Sequence, residues 1–432
     1  VAGRGSLGVH YGGQVTSKGA RVALNTGSVG NIVVNGTNSR WTIDRTSNFD
    51  VTGLSFGSGL GSIALSEGGS IVSRGYDYVG GGVNGQSSVQ ISGPSSWTTE
   101  RAFRVGAGNG NIGRVTVTGG GTLSTITGLS ASDDFRIGST AGSHGIVELK
   151  HAGTNWTNHG VLHVGYSGGQ GAVGGGQGTL TMTRGATASS RTTYVGYNAG
   201  SAGSVSLSNS GTSLAIVGAS ANSYTDLIVG HAGSGSLSIT SGSLVRNQNG
   251  TLGSATGSTG YAEVKGVGSL WENRNYLTVG NNGHGTLVVS GGGIVTAANT
   301  SVGANGLLSI EVGNGSQLDT RGSGTGLFAN SGLVRLTAAW NAAAGTYTPI
   351  MAGTWQSNNG TIETFGGTWD SSNHTFTIAA AQVINSGGTV NDNNGLQRVN
   401  VTDPSNLMTT AVTANFAVNG APTSFQATQI AT

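Results

Sequence analysis

The chain of 432 residues contains no cysteine, only four prolines and few charged residues. The lack of cysteine excludes a disulfide-stapled scaffold, and the scarcity of proline excludes collagen. Charged residues make up 8% of the chain and the net charge is +2, whereas nucleic-acid binders usually cluster basic residues. No apolar run approaches the ~20 residues that span a membrane. We therefore expect neither nucleic-acid binding nor membrane insertion of this chain.

Glycine, in contrast, accounts for 81 of the 432 residues. Each glycine in a helix interior costs about 1 kcal/mol, which argues against a helical bundle. Hydrophobic residues reach 35% and the net charge is near zero, which is unlike charge-extended disordered chains. A long chain without cysteine is typical of an exported bacterial protein, so we expect an extracellular location. The sequence starts at Val1 in repeat-like sequence with no visible signal peptide, as a processed protein or a fragment would.

Two sequence markers recur along the chain. The first, hydrophobic-x-Val-Gly, returns at intervals of 23 to 34 residues. The second, Gly-x-x-Ser-x-Trp or a near variant, returns at intervals of 56 to 59 residues. It ends at Trp41, Trp97, Trp156, Leu214 and Trp271. Two short units therefore form one module of about 57 residues, and such a period predicts a stacked repeat architecture.

Each short unit contains segments in which polar and apolar residues alternate, such as TLTMT (179–183) and SVSLS (204–208). This period of two predicts strands with one buried face. A unit of this length holds about three strands and cannot bury its apolar face alone, so the units must stack. We predict an all-β chain folded as a parallel β-helix, or β-solenoid, of roughly twelve coils. The handedness of parallel crossovers favours a right-handed coil. The predicted inward residues include Val117, Leu180, Met182, Val205, Leu207, Ile239, Leu287 and Val289.

The Val-Gly marker disappears after about residue 332. We therefore divide the chain into a repeat solenoid (1–332) and a C-terminal β-rich cap or accessory region (333–432). Strands are expected in the latter at Gln397–Val401, Val412–Val418 and Ser424–Ile430. Within the solenoid, Asn, Ser and Thr at equivalent corners are expected to form hydrogen-bonded ladders.

The pattern W…LxVG…GxGxLxIxxGGxV…VG…GxVxVxGxGSxW resembles the β-helical repeats of large bacterial surface exoproteins. These repeats occur in autotransporter passenger domains and in envelope exoproteins of the PEP-CTERM-sorted type. The stretch AGTYTPIMAGTWQSNNGTIETFGGTWDSSNHTFTI is similar to the region that often precedes a PEP-CTERM sorting tail. Neither a translocator barrel nor a Pro-Glu-Pro tail is present in this sequence. The resemblance implies an extracellular, non-catalytic role in adhesion, aggregation or a biofilm matrix.

A search for chemistry finds no convergent set of ionisable residues. Asp133 and Asp134 are adjacent acids, which on a strand point to opposite faces, and Arg136 and Lys150 are scattered basic candidates. His151, His159 and His163 lie close in sequence, but metal ligation needs convergent geometry, and we interpret them as surface residues. We therefore predict no catalytic, cofactor-binding or metal-binding residues, no cofactor, and no enzymatic activity.

The recurring tryptophans have two interpretations. Trp41, Trp97, Trp156 and Trp271 share one module position and would recur at roughly 10 Å along the rod. Exposed rings at this spacing would suit stacking on an extended glycan. The other interpretation is packing in the core, which the Leu214 substitute favours, because tryptophan buries a large area. Contact with another protein is a third.

The sequence favours a structural, adhesive surface protein that contacts itself, surface glycans or a host or neighbouring cell. The alternative is a carbohydrate-active β-helix, such as a polysaccharide lyase or a phage-spike-like depolymerase, or a glycan-binding module. Residues 7–41 already match half a module, so an uncapped first coil would be a template for strand pairing. We expect end-to-end self-association into filaments through the C-terminal strands. The candidate residues are Val412, Phe416, Val418, Phe425 and Ile430.

Overall fold

The structure is a computed structural model that describes residues 3–44, 52–126, 134–167, 174–218, 225–321, 326–339, 342–378, 391–392, 412–418 and 421–427. Within these residues all regular elements are strands. Three long sheets of 14, 13 and 13 strands form by pairing each strand with the strand three positions further along the chain in the repeat region. All of these pairings are parallel, as in β1–β4 with Leu7 opposite Ile32. The chain is therefore a parallel β-helix, as predicted.

The strands are numbered in chain order, and three consecutive strands make one coil. Sheet 1 comprises β1 (Arg4–Val9), β4 (Val29–Asn35), β7 (Leu60–Ser66), β10 (Gln86–Ser92), β13 (Ile112–Thr118), β16 (His144–Lys150), β19 (Gln177–Thr183), β22 (Ala202–Ser208), β25 (Ser234–Thr240), β28 (Thr259–Lys265), β31 (His284–Ser290), β34 (Gly306–Val312), β37 (Leu333–Ala338) and β41 (Thr361–Phe365). Sheet 2 comprises β2 (Gln14–Lys18), β5 (Arg40–Asp44), β8 (Ser70–Ser73), β11 (Ser96–Thr99), β14 (Thr122–Thr125), β17 (Asn155–Asn158), β20 (Thr187–Ser190), β23 (Ser213–Ile216), β26 (Leu244–Asn247), β29 (Leu270–Asn273), β32 (Ile294–Thr296), β35 (Gln317–Asp319) and β39 (Ile350–Met351). Sheet 3 comprises β3 (Ala20–Val22), β6 (Thr52–Phe56), β9 (Tyr76–Val79), β12 (Phe103–Val105), β15 (Phe135–Ile137), β18 (Leu162–Val164), β21 (Thr193–Val195), β24 (Leu227–Val229), β27 (Gly250–Leu252), β30 (Tyr276–Val279), β33 (Asn299–Val302), β36 (Leu327–Asn330) and β40 (Thr354–Asn358).

The period-two alternation places one face of every coil in a continuous core. All eight predicted inward residues are buried, with at most 1% of their surface exposed. Strands β1 to β36 form twelve coils, which confirms the number predicted for this part of the chain. The tryptophan marker falls on every second coil, so two coils make one module, as the 57-residue period indicated.

The Val-Gly marker has a physical cause in the turn from sheet 3 to the next strand of sheet 1. Val279 points inward and is fully buried, and Gly280 follows it with φ of 72°. This left-handed conformation favours glycine because it has no Cβ. A Cβ on Gly280 would also lie 2.4 Å from the backbone nitrogen of Gly306 on the following coil. This turn therefore requires glycine for its conformation and for the close approach of the next coil, and the marker glycines from Gly80 to Gly253 share the positive φ.

Polar side chains form the predicted ladder at the inner corner where sheet 2 ends. Thr125 Oγ1 donates to Asn158 Oδ1 at 2.6 Å, and Asn158 Nδ2 donates to Ser190 Oγ at 3.0 Å. Further along, Asn247 Nδ2 donates to Asn273 Oδ1 at 2.7 Å. These bonds satisfy buried polar groups, which would otherwise destabilise the core.

The three sheets continue past residue 332, where we expected the repeat region to end. Strands β37, β39 and β40 form a thirteenth coil, and β41 extends sheet 1 to Phe365. A small antiparallel sheet of β38 (Gly345–Tyr347), β43 (Thr375–Ile378) and β42 (Thr368–Asp370) adds Phe376 and Ile378 to the core. The last sheet comprises β44 (Asn391–Asp392), β45 (Val412–Val418) and β46 (Ala421–Ala427).

The strands predicted near the C-terminus are confirmed in part. Val412–Val418 is a strand as predicted, and it pairs antiparallel with Ala421–Ala427, which begins three residues before the predicted segment. Val412, Phe416, Val418 and Phe425 lie on this hairpin, whereas Ile430 and Gln397–Val401 lie outside the described residues. End-to-end self-association through these residues stays a prediction.

Candidate functional site

The structure contradicts the glycan-stacking interpretation of the tryptophans. Trp41, Trp97, Trp156 and Trp271 are at most 3% exposed and lie on the inward face of sheet 2. Their rings contribute to the core, where Trp97 meets Phe103 edge-on at 5.2 Å between ring centroids. No face of these rings is open to a sugar, so the packing interpretation is correct.

The indole nitrogens of these tryptophans differ in their partners. Trp271 Nε1 donates to Asn247 Oδ1 at 2.7 Å, and Trp97 Nε1 donates to Asp77 Oδ2 at 3.1 Å. Trp156 Nε1 is buried and has no hydrogen-bond partner among the described residues. At this one module position, the indole N–H group therefore has a hydrogen-bond partner in some modules and lacks one in another.

Asp77 is a fully buried carboxylate inside the solenoid. Its Oδ1 accepts hydrogen bonds from the Leu54 amide at 2.8 Å and from Ser73 Oγ at 2.6 Å. No basic side chain of the described residues forms an ion pair with it. Burial raises the pKa of Asp77 to about 6, although the hydrogen bonds from Ser73, Leu54 and Trp97 oppose this shift. Asp77 has no access to solvent, so we assign it to the core rather than to a ligand site.

The three histidines singled out in the sequence do not converge. His151 occupies a turn with φ of 74°, and His159 Nδ1 lies 2.6 Å from the Thr125 carbonyl oxygen. His163 lies on the outward face of sheet 3. In the described part of the chain, no three His, Asp or Glu side chains are placed to share a metal ion.

The scattered basic and acidic candidates are also separated. Lys150 lies on sheet 1 and pairs with Glu148 at 3.3 Å, whereas Arg136 lies on sheet 3. Asp133 lies outside the described residues.

One outward surface, however, gathers aromatic and charged residues. On sheet 3 the register places Arg104 opposite Arg136, Arg136 opposite His163, and His163 opposite Tyr194. A second column forms just after the turn glycines. We call these residues the sheet 3 strip: Arg104, Asp134, Arg136, His163, Tyr166, Tyr194, Tyr197 and His231. The strip crosses coils 4 to 8, or about 19 Å at ~4.8 Å per coil.

Asp134 connects Arg136 and His163, two largely buried members of the strip. Its Oδ2 lies 3.3 Å from His163 Nε2 and accepts a hydrogen bond from Arg136 Nη2 at 3.1 Å. Burial opposes the ionisation of Asp134, but the hydrogen bonds from His163 and Arg136 and their charges leave its pKa below the ordinary value. Burial lowers the pKa of His163 despite the nearby carboxylate. With Nε2 directed at Asp134, the neutral ring has an acceptor at Nδ1, which has no partner among the described residues.

The tyrosines and the second histidine stack along the rod axis. Tyr166 and Tyr197 are parallel within 10° with centroids 5.4 Å apart, and Tyr197 and His231 are parallel within 9° at 4.8 Å. His163 and Tyr194 stack in the same way at 5.3 Å. Because neighbouring rings cover one another's faces, the stacks present ring edges and polar atoms. None of the described residues hydrogen-bonds to the hydroxyl groups of the three tyrosines.

The arginine end of the strip has more positive than negative charge. Arg136 is neutralised by Asp134, and its guanidinium lies 4.0 Å from the centre of the Tyr166 ring. Arg104 lies over Tyr78 at 5.4 Å and forms no ion pair with a described carboxylate. Burial, and then the charge of Arg136, lower the pKa of Arg104. This cation is therefore held without an ionic partner in the described structure.

The strip was not predicted from the sequence, although the sequence contains a signal for it. The residues that flank the Val-Gly marker read HVGY (163–166), YVGY (194–197) and IVGH (228–231) in three successive units. A single unit shows His163 only as an isolated outward residue, and the pattern emerges when the flanking positions of successive units are aligned. The parallel register then brings these residues together.

Comparison of the chain with protein-family models, with curated protein sequences and with solved structures finds no match. A bilayer-spanning helix is also not found in the described part of the chain.

Proposed function

We propose that the chain is a non-catalytic, structural and adhesive solenoid that acts outside a bacterial cell and contacts glycans through the sheet 3 strip. The observation that supports this most strongly is the concentration of stacked aromatic and charged side chains on outward positions. The core does not require large residues there. On sheet 1 of coils 7 and 8, outward positions hold small hydroxyl residues such as Thr181 and Ser206.

The repetitive core supports a scaffold role. Every coil adds one strand to each sheet, so the stack extends in one direction and holds the strip on a rigid surface. A rigid surface loses little conformational entropy on binding, and this favours contact with an extended ligand.

The burial of the Asp134–His163 pair supports a binding role rather than catalysis. Asp134 is 8% exposed and His163 is 4% exposed, and a general acid or base must lie within hydrogen-bonding reach of its substrate. A depolymerase at this site would need the covering side chains to move aside. The tyrosine hydroxyls and Arg104 are better placed for contact with a ligand.

The test is retention of purified protein on a panel of immobilised glycans, with two matched variants. Tyr197→Ala removes the central ring of the strip, whereas Tyr261→Ala removes an exposed tyrosine on sheet 1. We expect binding to be lost only with the first variant, while both retain their circular dichroism spectra. Incubation with the bound glycan is expected to produce no new chain ends. Absence of binding to every glycan, equal loss in both variants, or depolymerisation would refute the proposal.

A further inference from the structure

We propose that the ligand of the sheet 3 strip is an acidic polysaccharide, whose sugar carboxylate binds Arg104 while its hydroxyl groups contact the tyrosine edges. This inference rests on the proposed function and specifies its ligand class. It depends on three observations: the charge at the arginine end, the polar edges of the stacks, and the direction of the strip.

The excess of positive charge at the arginine end of the strip predicts that the ligand carries a negative charge. Arg104 and Arg136 occupy directly paired positions on adjacent coils, where two like charges repel. Asp134 forms an ion pair with Arg136 at 3.1 Å, whereas Arg104 forms none with a described carboxylate and lies over the Tyr78 ring at 5.4 Å. A guanidinium presents several donors in a planar fork that matches a carboxylate. A carboxylate from a ligand would supply the missing partner.

The stacks predict a ligand that is rich in hydroxyl groups. Tyr166 and Tyr197 are held parallel by stacking, so their hydroxyl groups are ordered before a ligand arrives. Each phenol both donates and accepts hydrogen bonds, as sugar hydroxyls do. Because the ring faces are covered by neighbouring rings, planar bases have little surface on which to stack.

The direction of the strip predicts an extended polymer. The polar groups recur once per coil over about 19 Å, parallel to the rod axis. A nucleic acid would need several phosphate contacts to bind at physiological salt, and the strip has one unpaired arginine. An added peptide strand would need a free sheet edge, whereas the strip lies on a sheet face. An acidic polysaccharide fits the charge, the hydroxyl groups and the length together.

Titration calorimetry with polygalacturonate tests the inference, and the same polymer with its carboxyl groups reduced is the matched control ligand. Arg104→Gln removes the charge, and Tyr197→Phe removes one hydroxyl group while keeping the stack. Arg246→Gln is the control variant, since Arg246 is paired with Glu272 at 2.7 Å on sheet 2. All variants are first checked for unchanged melting temperature.

We expect wild-type protein and Arg246→Gln to bind polygalacturonate and to bind the reduced polymer at least tenfold more weakly. Arg104→Gln is expected to lose at least tenfold in affinity, and Tyr197→Phe a few-fold. Equal binding of both polymers through the strip would overturn the acidic ligand class and leave glycan adhesion standing. An unchanged affinity in Arg104→Gln, or tighter binding of a single-stranded DNA or a protein, would also overturn it. No binding to any glycan would refute the proposed function itself.

Discussion

Replacement of Asp77 by asparagine is expected to remove a pH dependence of local stability. Asp77 is fully buried, and its pKa is raised from the model-peptide value of 3.8 to about 6 in the folded protein. Below pH 3.8 the carboxyl group is protonated in both the folded and the unfolded state. Between pH 3.8 and 6 the unfolded state releases its proton first, so stability falls as pH rises. Above about pH 6 both states are ionised and the loss is complete.

The size of the effect follows from the shift of about two pKa units. At 1.36 kcal/mol per unit, ionisation of Asp77 lowers the free energy of unfolding by about 3 kcal/mol between pH 3.8 and neutral pH. This corresponds to roughly a hundredfold change in the equilibrium for opening the surrounding coils. The Leu54 amide, which donates to Asp77 Oδ1 at 2.8 Å, reports on this opening directly.

Hydrogen exchange of the segment containing Leu54, corrected for intrinsic rates, provides the assay at pH 4 and pH 7.5. We expect wild-type protein to lose protection at the higher pH and Asp77→Asn to show a much smaller change. Asp44→Asn is the control, since Asp44 is an exposed carboxylate paired with Arg74 at 3.1 Å. The same pH dependence in wild type and Asp77→Asn would refute the assignment of the effect to this buried carboxyl group.

Two further predictions concern the core and are measured by urea unfolding followed by circular dichroism. Trp271→Leu is expected to destabilise the chain more than Trp156→Leu by about 1 kcal/mol, the net value of one hydrogen bond, because only Trp271 Nε1 has a partner, Asn247. Equal losses would contradict this account. Gly285→Ala is expected to cost about 1–3 kcal/mol by overpacking, since a Cβ there would lie 2.1 Å from a backbone nitrogen, whereas Gly5→Ala, with open space around it, is the near-neutral control. An unchanged midpoint for Gly285→Ala would contradict this account of the close backbone contact.

The coil architecture was predictable because core packing repeats in every unit. Inward residues such as Leu287 recur with period two, and the parallel stack then places them together. The boundary at residue 332 follows the loss of the Val-Gly marker, whereas the sheets continue beyond it. The Val-Gly marker reports the turn glycine, whereas Val334, Leu336 and Ile350 still occupy inward positions after the marker is lost.

The alternation of inward and outward residues also determines the positions of the tryptophans and of Asp77. Ile43 lies two residues after Trp41 and both side chains point inward. Asp77 likewise lies two residues before the inward Val79. A charged residue at an inward position is buried, and burial of the charge perturbs its pKa. The sheet 3 strip was not predictable from one unit, because outward positions are free of core constraints and acquire meaning only after neighbouring units are aligned.

The aromatic rings of the strip also stabilise the fold, and this structural role can be distinguished from ligand binding by the groups that each role requires. Stacked aromatic pairs stabilise a protein by about 0.5–1.5 kcal/mol each, so the Tyr166–Tyr197–His231 stack strengthens the contact between coils 6, 7 and 8. That contribution requires the rings alone. It accounts for neither the phenol hydroxyl groups, which lack partners among the described residues, nor Arg104, which forms no ion pair with a described carboxylate. Phenylalanine at the tyrosine positions would keep the ring stacking, and Arg104 is not part of the stack. The polar atoms that stacking leaves unexplained are therefore the ones assigned to the ligand, and variants that remove them while keeping the rings separate the two roles.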